Sequence, residues 1–226
     1  MMGGWADGRS GGLILAIALG WSACPPVDLT AQDAKTAMQR AESAFTLVTT
    51  LSANFVQVIT NPMVGGPDTT MGRLYQQRPS QFAMRFTTPA GDRIVADGRW
   101  LWLYTPSTTP DQVIRTAIPR FGGTGPNLLA QFVEHPGERY TAHWLRADSS
   151  TAGWADVVAM TPRDTTLPYT AATIWVSRLD GLVRRIEIEE NGQQRVVVLR
   201  DLQVNAGAPA REFRFAVPAG VRVVDQ

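Results

Sequence analysis

Asp92, Asp97 and His143 could be assembled on paper into a hydrolytic site, two carboxylates with a general base. The motifs that usually present such groups are missing. The chain has no G-x-S-x-G turn to expose a serine, no H-E-x-x-H helix and no phosphate-cradling glycine loop. His135 and His143 stand eight apart with Pro136 and Gly137 between them, which is not a metal-ligand spacing. Asp97-Gly98 reads as a hairpin turn rather than a catalytic loop. The single cysteine, Cys24, precedes the first regular element. Enzymatic chemistry, metal and cofactors are not expected.

What remains is the chemistry of apolar contact. In "RWLWLY", Arg99 to Tyr104, a strand points Trp100, Trp102 and Tyr104 to one face and Leu101 and Leu103 to the other. Both faces are greasy, whereas a sheet wetted on one side alternates apolar with polar. One face must pack outward against neighbours or a crossing element, and the other lines a concave groove. "QFAMRF" sets Phe82, Met84 and Phe86 on one face against Gln81, Ala83 and Arg85, and "TIWV" adds Trp175. Methionine and aromatics give an adaptable lining for chains of variable shape.

The elements that must position these residues are mostly strands. From Thr30 onward, Ala34, Ala37, Met38, Ala41, Phe45 and Val48 recur at spacings of three and four, one apolar stripe of a helix. Thr30 with Asp33 resembles a capping box. From Leu51 the period changes to two, with Phe55, Gln57 and Ile59 opposing Asn54, Val56 and Val58. Short runs follow at regular spacing, from "GRLYQQ" to "REFRFAVP", separated by Pro, Gly and Asp, with Asn191-Gly192 at a hairpin. They predict about eleven antiparallel strands in one domain over residues 32–226, a mainly β (α+β) chain. A half-barrel this wide is not filled by its own side chains alone. The segment "FGGTGPNLLAQFVEHPGERY" breaks the pattern. Its glycine-rich entry, Pro126 and the apolar Leu128, Leu129, Phe132 and Val133 predict a short helix on a hinge, ended before Pro136. A greasy helix on a hinge has the makings of a movable lid.

Charge excludes one class of partner. The formal net charge is +1 over 226 residues, with Lys35 the only lysine, and no basic cluster marks a nucleic-acid footprint. The run Gly11–Ala23, behind Arg9, has the length and apolarity of a signal-peptide core, and residues 1–31 are expected to be a signal peptide cut between 23 and 31. Two outcomes stay open. Cleavage after Ala31 gives a soluble exported protein. Alternatively "WSAC" acts as a lipobox and Cys24 becomes a lipidated anchor. Either way the mature domain has no disulfide.

The ordered pieces together resemble a known family. "SANFVQ" after the helix, then Gly72 and Leu74, Arg78-Pro79 with Phe82, Pro89, Asp97-Gly98 followed by Leu101, Trp102 and Tyr104, and the ending "EFRFAVPAGVRVVD" are similar to the periplasmic lipoprotein carriers, LolA. The likeness runs from about Ala31 to Asp225. It implies a curved antiparallel sheet of eleven strands in an unclosed barrel, with helices plugging its mouth. It also implies a monomeric chaperone that takes acylated lipoproteins from an inner-membrane ABC transporter to an outer-membrane acceptor. Arg78 falls where the family has an arginine that latches the lid by bonding its backbone carbonyls, here those of Leu128 to Gln131. Leu128, Leu129 and Phe132 would form the lid. Phe55, Phe82, Met84, Phe86, Trp100, Trp102 and Trp175 would line the acyl-chain cavity, with Met84 where an aromatic is common. The rivals within the fold are an outer-membrane-anchored, LolB-like acceptor and a periplasmic lipid-binding protein.

Overall fold

The computed structural model describes residues 29–63, 65–118, 129–150 and 153–226. The expected signal peptide lies outside this range up to residue 28, as do Val64, the glycine-rich hinge, Pro126 and Leu128. The first helix, α1 (Leu29–Thr46), starts early enough that a cut after Ala31 would fall in its first turn. Five strands follow: β1 (Thr50–Thr60), β2 (Asp68–Gln77), β3 (Gln81–Thr88), β4 (Ala90–Asp97) and β5 (Trp100–Tyr104). Next come β6 (Gln112–Ala117), two single-turn helices α2 (Ala130–Val133) and α3 (Pro136–Arg139), and β7 (Tyr140–Ser150). The chain ends with β8 (Gly153–Pro162), β9 (Tyr169–Ser177), β10 (Val183–Glu190), β11 (Gln193–Val204) and β12 (Arg222–Asp225).

All twelve strands form one sheet, in the order β12-β6-β5-β4-β3-β2-β1-β11-β10-β9-β8-β7. Every neighbouring pair is antiparallel except β12, which runs parallel to β6. β7 and β12 are the two ends and do not pair with each other, so the sheet is curved but not closed. The expected hairpins are where the sequence put them. Asn191 and Gly192 both have positive φ, 51° and 75°, between β10 and β11, the backbone that an Asn-Gly turn favours.

The stripe read on the helix is the stripe it buries. Ala34, Ala37, Met38, Ala41, Phe45 and Val48 are each 5% exposed or less and belong to one cluster with Leu51, Ala53, Leu74 and Ile186 of the sheet. Two contacts seat α1. Arg40 reaches Asp156 on β8 at 2.8 Å. Gly181, in the β9–β10 turn with φ +73°, lies so close that a Cβ there would come within 2.8 Å of Ala44 Cβ and of the Arg40 carbonyl.

The second greasy face of "RWLWLY" is covered by the chain's own C-terminal strap. Phe213, in a 3-10 turn (Ala210–Phe213), is buried with Ala83, Val95, Trp102 and Val113. Phe215 stacks on Trp102 with ring centres 5.3 Å apart and meets Tyr104 edge-on at 5.8 Å. Glu212, buried, pairs with Arg85 of β3. The sequence reading made "REFRFAVP" a strand. It is instead this strap, because its two phenylalanines are needed over β4–β6 rather than in the sheet, and the twelfth strand is Arg222–Asp225.

Candidate functional site

The face of the sheet beneath α1 forms an apolar hollow. Its wall on β1 to β3 is built from four of the residues singled out by spacing: Phe55, Phe82 and Met84 are buried in the helix-facing cluster, and Phe86 packs against it. Gly72 on β2 lets Phe55 lie flat on the strand, since a Cβ there would meet the Arg85 carbonyl at 2.0 Å and the Phe55 ring at 2.9 Å. Phe55 and Phe86 then meet edge to face, 5.1 Å between centres.

The three tryptophans expected in the same lining lie elsewhere. Trp100 and Trp102 belong to the strap-covered face, whereas Leu101 between them packs against the helix-facing cluster on the opposite face. Trp175 is also turned away from α1, packed with Ala155 and Val157. For Trp102 and Trp175 the reason is the indole N–H, which seeks a partner once buried. Trp102 donates to Asp97 at 2.9 Å and Trp175 donates to Asp148 at 2.9 Å. Arginines stack on them: Arg115 is 4.5 Å from Trp100 and 5.5 Å from Trp102, and Arg185 is 4.8 Å from Trp175. An all-hydrocarbon hollow offers neither carboxylate nor cation. Trp175 instead borders an outer-face concavity of about 890 Å³ shared with Trp154, Arg185 and Val198.

Among the described residues, the chain's own side chains pack into the hollow. From above, Leu129, Phe132 and Val133 are buried against α1, and the lid is a single helical turn, α2. The space left between Ala41, Phe45, Leu129, Val133 and Leu202 is about 10 Å³, room for one water-sized sphere. Among the described residues, three polar contacts hold this segment in place. Arg78 donates from Nη2 to the Glu134 carboxylate at 2.5 Å and from Nη1 to the Thr46 carbonyl at 3.4 Å, with its guanidinium 5.0 Å over the Phe45 ring. The Tyr140 hydroxyl donates to the Gln131 carbonyl at 2.8 Å. The His135 N–H donates to Glu42 of α1 at 3.2 Å. The expected grip of Arg78 on the carbonyls of Leu128 to Gln131 is thus replaced, among the described residues, by a grip on the Glu134 side chain. The carbonyl of Gln131 goes to a tyrosine instead.

Sequence reasoning missed that tyrosine. Tyr140 and Tyr169 are 2.6 Å apart, hydroxyl to hydroxyl, under Phe132. The single Tyr140 proton is engaged by Gln131, so Tyr169 is the donor within the pair. Burial pushes the Tyr140 phenol above its ordinary value, so it stays a donor at any physiological pH. Twenty-nine residues separate the two, and no local pattern links them. A second missed residue had a signal. Period two in "GRLYQQ" puts Gln76 on the face of Leu74, and the structure buries it completely there, opposite Leu51 and Phe82. Its amide oxygen and nitrogen both lack a hydrogen-bond partner. An enclosed, unpaired amide costs about 1–3 kcal/mol.

The paper triad is dispersed. Asp97 accepts from the backbone of Arg99 and Trp100 and closes its hairpin. Asp92 holds the following turn through Ser107, at 2.7 Å. His143 lies on the edge strand β7, with seven strands between it and β4 in the sheet order.

The family described as "Outer membrane lipoprotein carrier protein LolA" matches residues 46–216. An outer-membrane lipoprotein carrier protein of Pectobacterium atrosepticum is 28% identical over 179 residues, 79% of this chain and 83% of that one. Its counterpart from Pectobacterium carotovorum subsp. carotovorum is 27% identical over the same coverage. Among solved structures, an uncharacterized conserved protein from Thermus thermophilus shares the fold, with TM-score 0.55 and 14% identity, covering 86% of this chain and all of that one. With the match spanning most of its length, the chain belongs to the LolA family of outer membrane lipoprotein carriers.

Proposed function

We propose that this protein is a periplasmic chaperone that binds the acyl chains of lipoproteins in the helix-covered hollow and ferries them from an inner-membrane ABC transporter to an outer-membrane acceptor. The observation that carries this reading is the nature of the filling: a one-turn lid held by three polar contacts occupies the space that the sheet itself leaves. Each buried CH₂ of an acyl chain is worth about 0.8 kcal/mol, so an empty rigid pocket would hold two or three chains too tightly for onward transfer. A lid that must first be expelled subtracts its own burial from the ligand's. Net affinity becomes moderate, and a better acceptor can draw the cargo away. Arg78 sets that balance in this reading, because it joins the lid's end to the C-terminus of α1.

The test is co-purification of the exported protein from envelope extracts, followed by mass spectrometry of what comes with it. Diacylated or triacylated protein near one-to-one stoichiometry is the expected result. Recovery of phospholipid alone defeats the lipoprotein reading in favour of a lipid carrier.

One observation favours a second reading, an anchored acceptor. Met63 is 92% exposed at the tip of the β1–β2 loop, as a membrane-inserting side chain would be. The mass of the mature N-terminus separates the two: an acylated Cys24 means an acceptor, a free amine near Gln32 means a shuttle.

A further inference from the structure

Gln76 is a poor choice for the fold it sits in. It is 0% exposed, on the same face as Leu74, with Leu51 and Phe82 directly across from it on β1 and β3. A leucine or valine would pair better with both neighbours. Instead the wall carries an amide whose Nε2 and Oε1 are both without a partner when the lid is closed. The position is two residues from Arg78, the side chain that joins the lid to α1. An amide that is wasted in the filled hollow, beside the contact that keeps it filled, has its use in the other state.

We propose that Gln76 is the polar contact for the carbonyl at the head of an acyl chain, so that the hollow selects ester- or amide-linked acyl groups over bare hydrocarbon. Nε2 donates to the ester or amide carbonyl, and Oε1 accepts from the N–H of an amide-linked chain. No other unpartnered buried amide lies among the described residues. The same amide tilts the lid equilibrium, since opening relieves it and a carbonyl-bearing guest satisfies it. The inference rests on the reading of the hollow as an acyl-chain site.

The experiment uses the whole mature protein and three probes: a synthetic dipalmitoyl-glyceryl-cysteine peptide, its dialkyl ether counterpart without carbonyls, and dipalmitoyl phosphatidylglycerol. The wild type should bind the ester peptide about three- to tenfold tighter than the ether, the size of one net hydrogen bond. Gln76→Leu and the near-isosteric Gln76→Met should bind both alike and melt at or above the wild-type temperature. An ester preference that survives both substitutions, or a wild type that binds ester and ether equally, overturns the proposal. A wild type that takes neither peptide but binds the phospholipid, and loses that binding in Gln76→Leu, supports the carbonyl contact and assigns it to membrane lipid. A wild type that binds none of the three probes overturns the acyl-chain reading of the hollow itself.

Discussion

Asp156, buried on β8, collects three donors: Arg40 of α1 at 2.8 Å, Arg178 beyond β9 at 2.5 Å and the Trp144 indole at 3.1 Å. Burial pushes its carboxyl up, but the bonds from Arg178, Arg40 and Trp144 outweigh that and hold it below the ordinary 3.8. The stabilisation is therefore complete above the unfolded value and is lost as pH falls through the lower folded value. Asp156→Asn is expected to cost about 1–3 kcal/mol at neutral pH, since two charged donors lose their charged acceptor. The gap between variant and wild type in urea unfolding should narrow once pH drops below 3.8. A constant gap from pH 7 to pH 3 would show that the carboxylate charge is not what anchors α1. None of this cluster was legible in the sequence, because its members come from four elements and the longest link spans 116 residues. The shared face of Phe82, Met84 and Phe86, by contrast, was legible, because period two sets them against Gln81 and Arg85.

The limits of that periodicity show most clearly in β5 and the strap. Alternation in "RWLWLY" separates tryptophans from leucines, but nothing local says which set faces the helix. The indole N–H decides it, through Asp97 on the neighbouring strand. Likewise "REFRFAVP" has the alternation of a strand, yet its phenylalanines cover the outer face from outside the sheet. α1, by its 3.6-residue stripe, and the hairpins, by Asn-Gly and Asp-Gly, were readable because local chemistry alone specifies them. Phe213→Ala should leave a cavity between strap and sheet and cost about 3–5 kcal/mol in chemical denaturation. Because the strap lies on the face opposite the hollow, lipopeptide binding by the folded variant should be unchanged. A matching loss of binding would mean that the two faces are coupled through β4–β6.

At the scale of the whole molecule, the proposed carrier role turns on the balance between a hollow filled by the chain and one filled by cargo. Arg78→Leu removes the ion pair to Glu134 and the contact to the α1 C-terminus while keeping an apolar side chain near Phe45. Both partners are half-exposed, so the pair itself is worth no more than about 1 kcal/mol. The variant should fold normally, open more readily and retain lipopeptide several-fold longer in a dilution chase. Retention equal to wild type would remove Arg78 from the latch.

Because β7 and β12 do not pair, closure does not fix the girth of the sheet. In a closed barrel the strand number and stagger fix the girth, so a larger guest must break a ladder to enter. Here β7 and β12 are not bonded to each other. The walls can spread by flattening, with every interstrand bond kept. Under the proposed carrier role, cargo with different numbers of tails would be accommodated at a cost in elastic bending rather than in lost pairing.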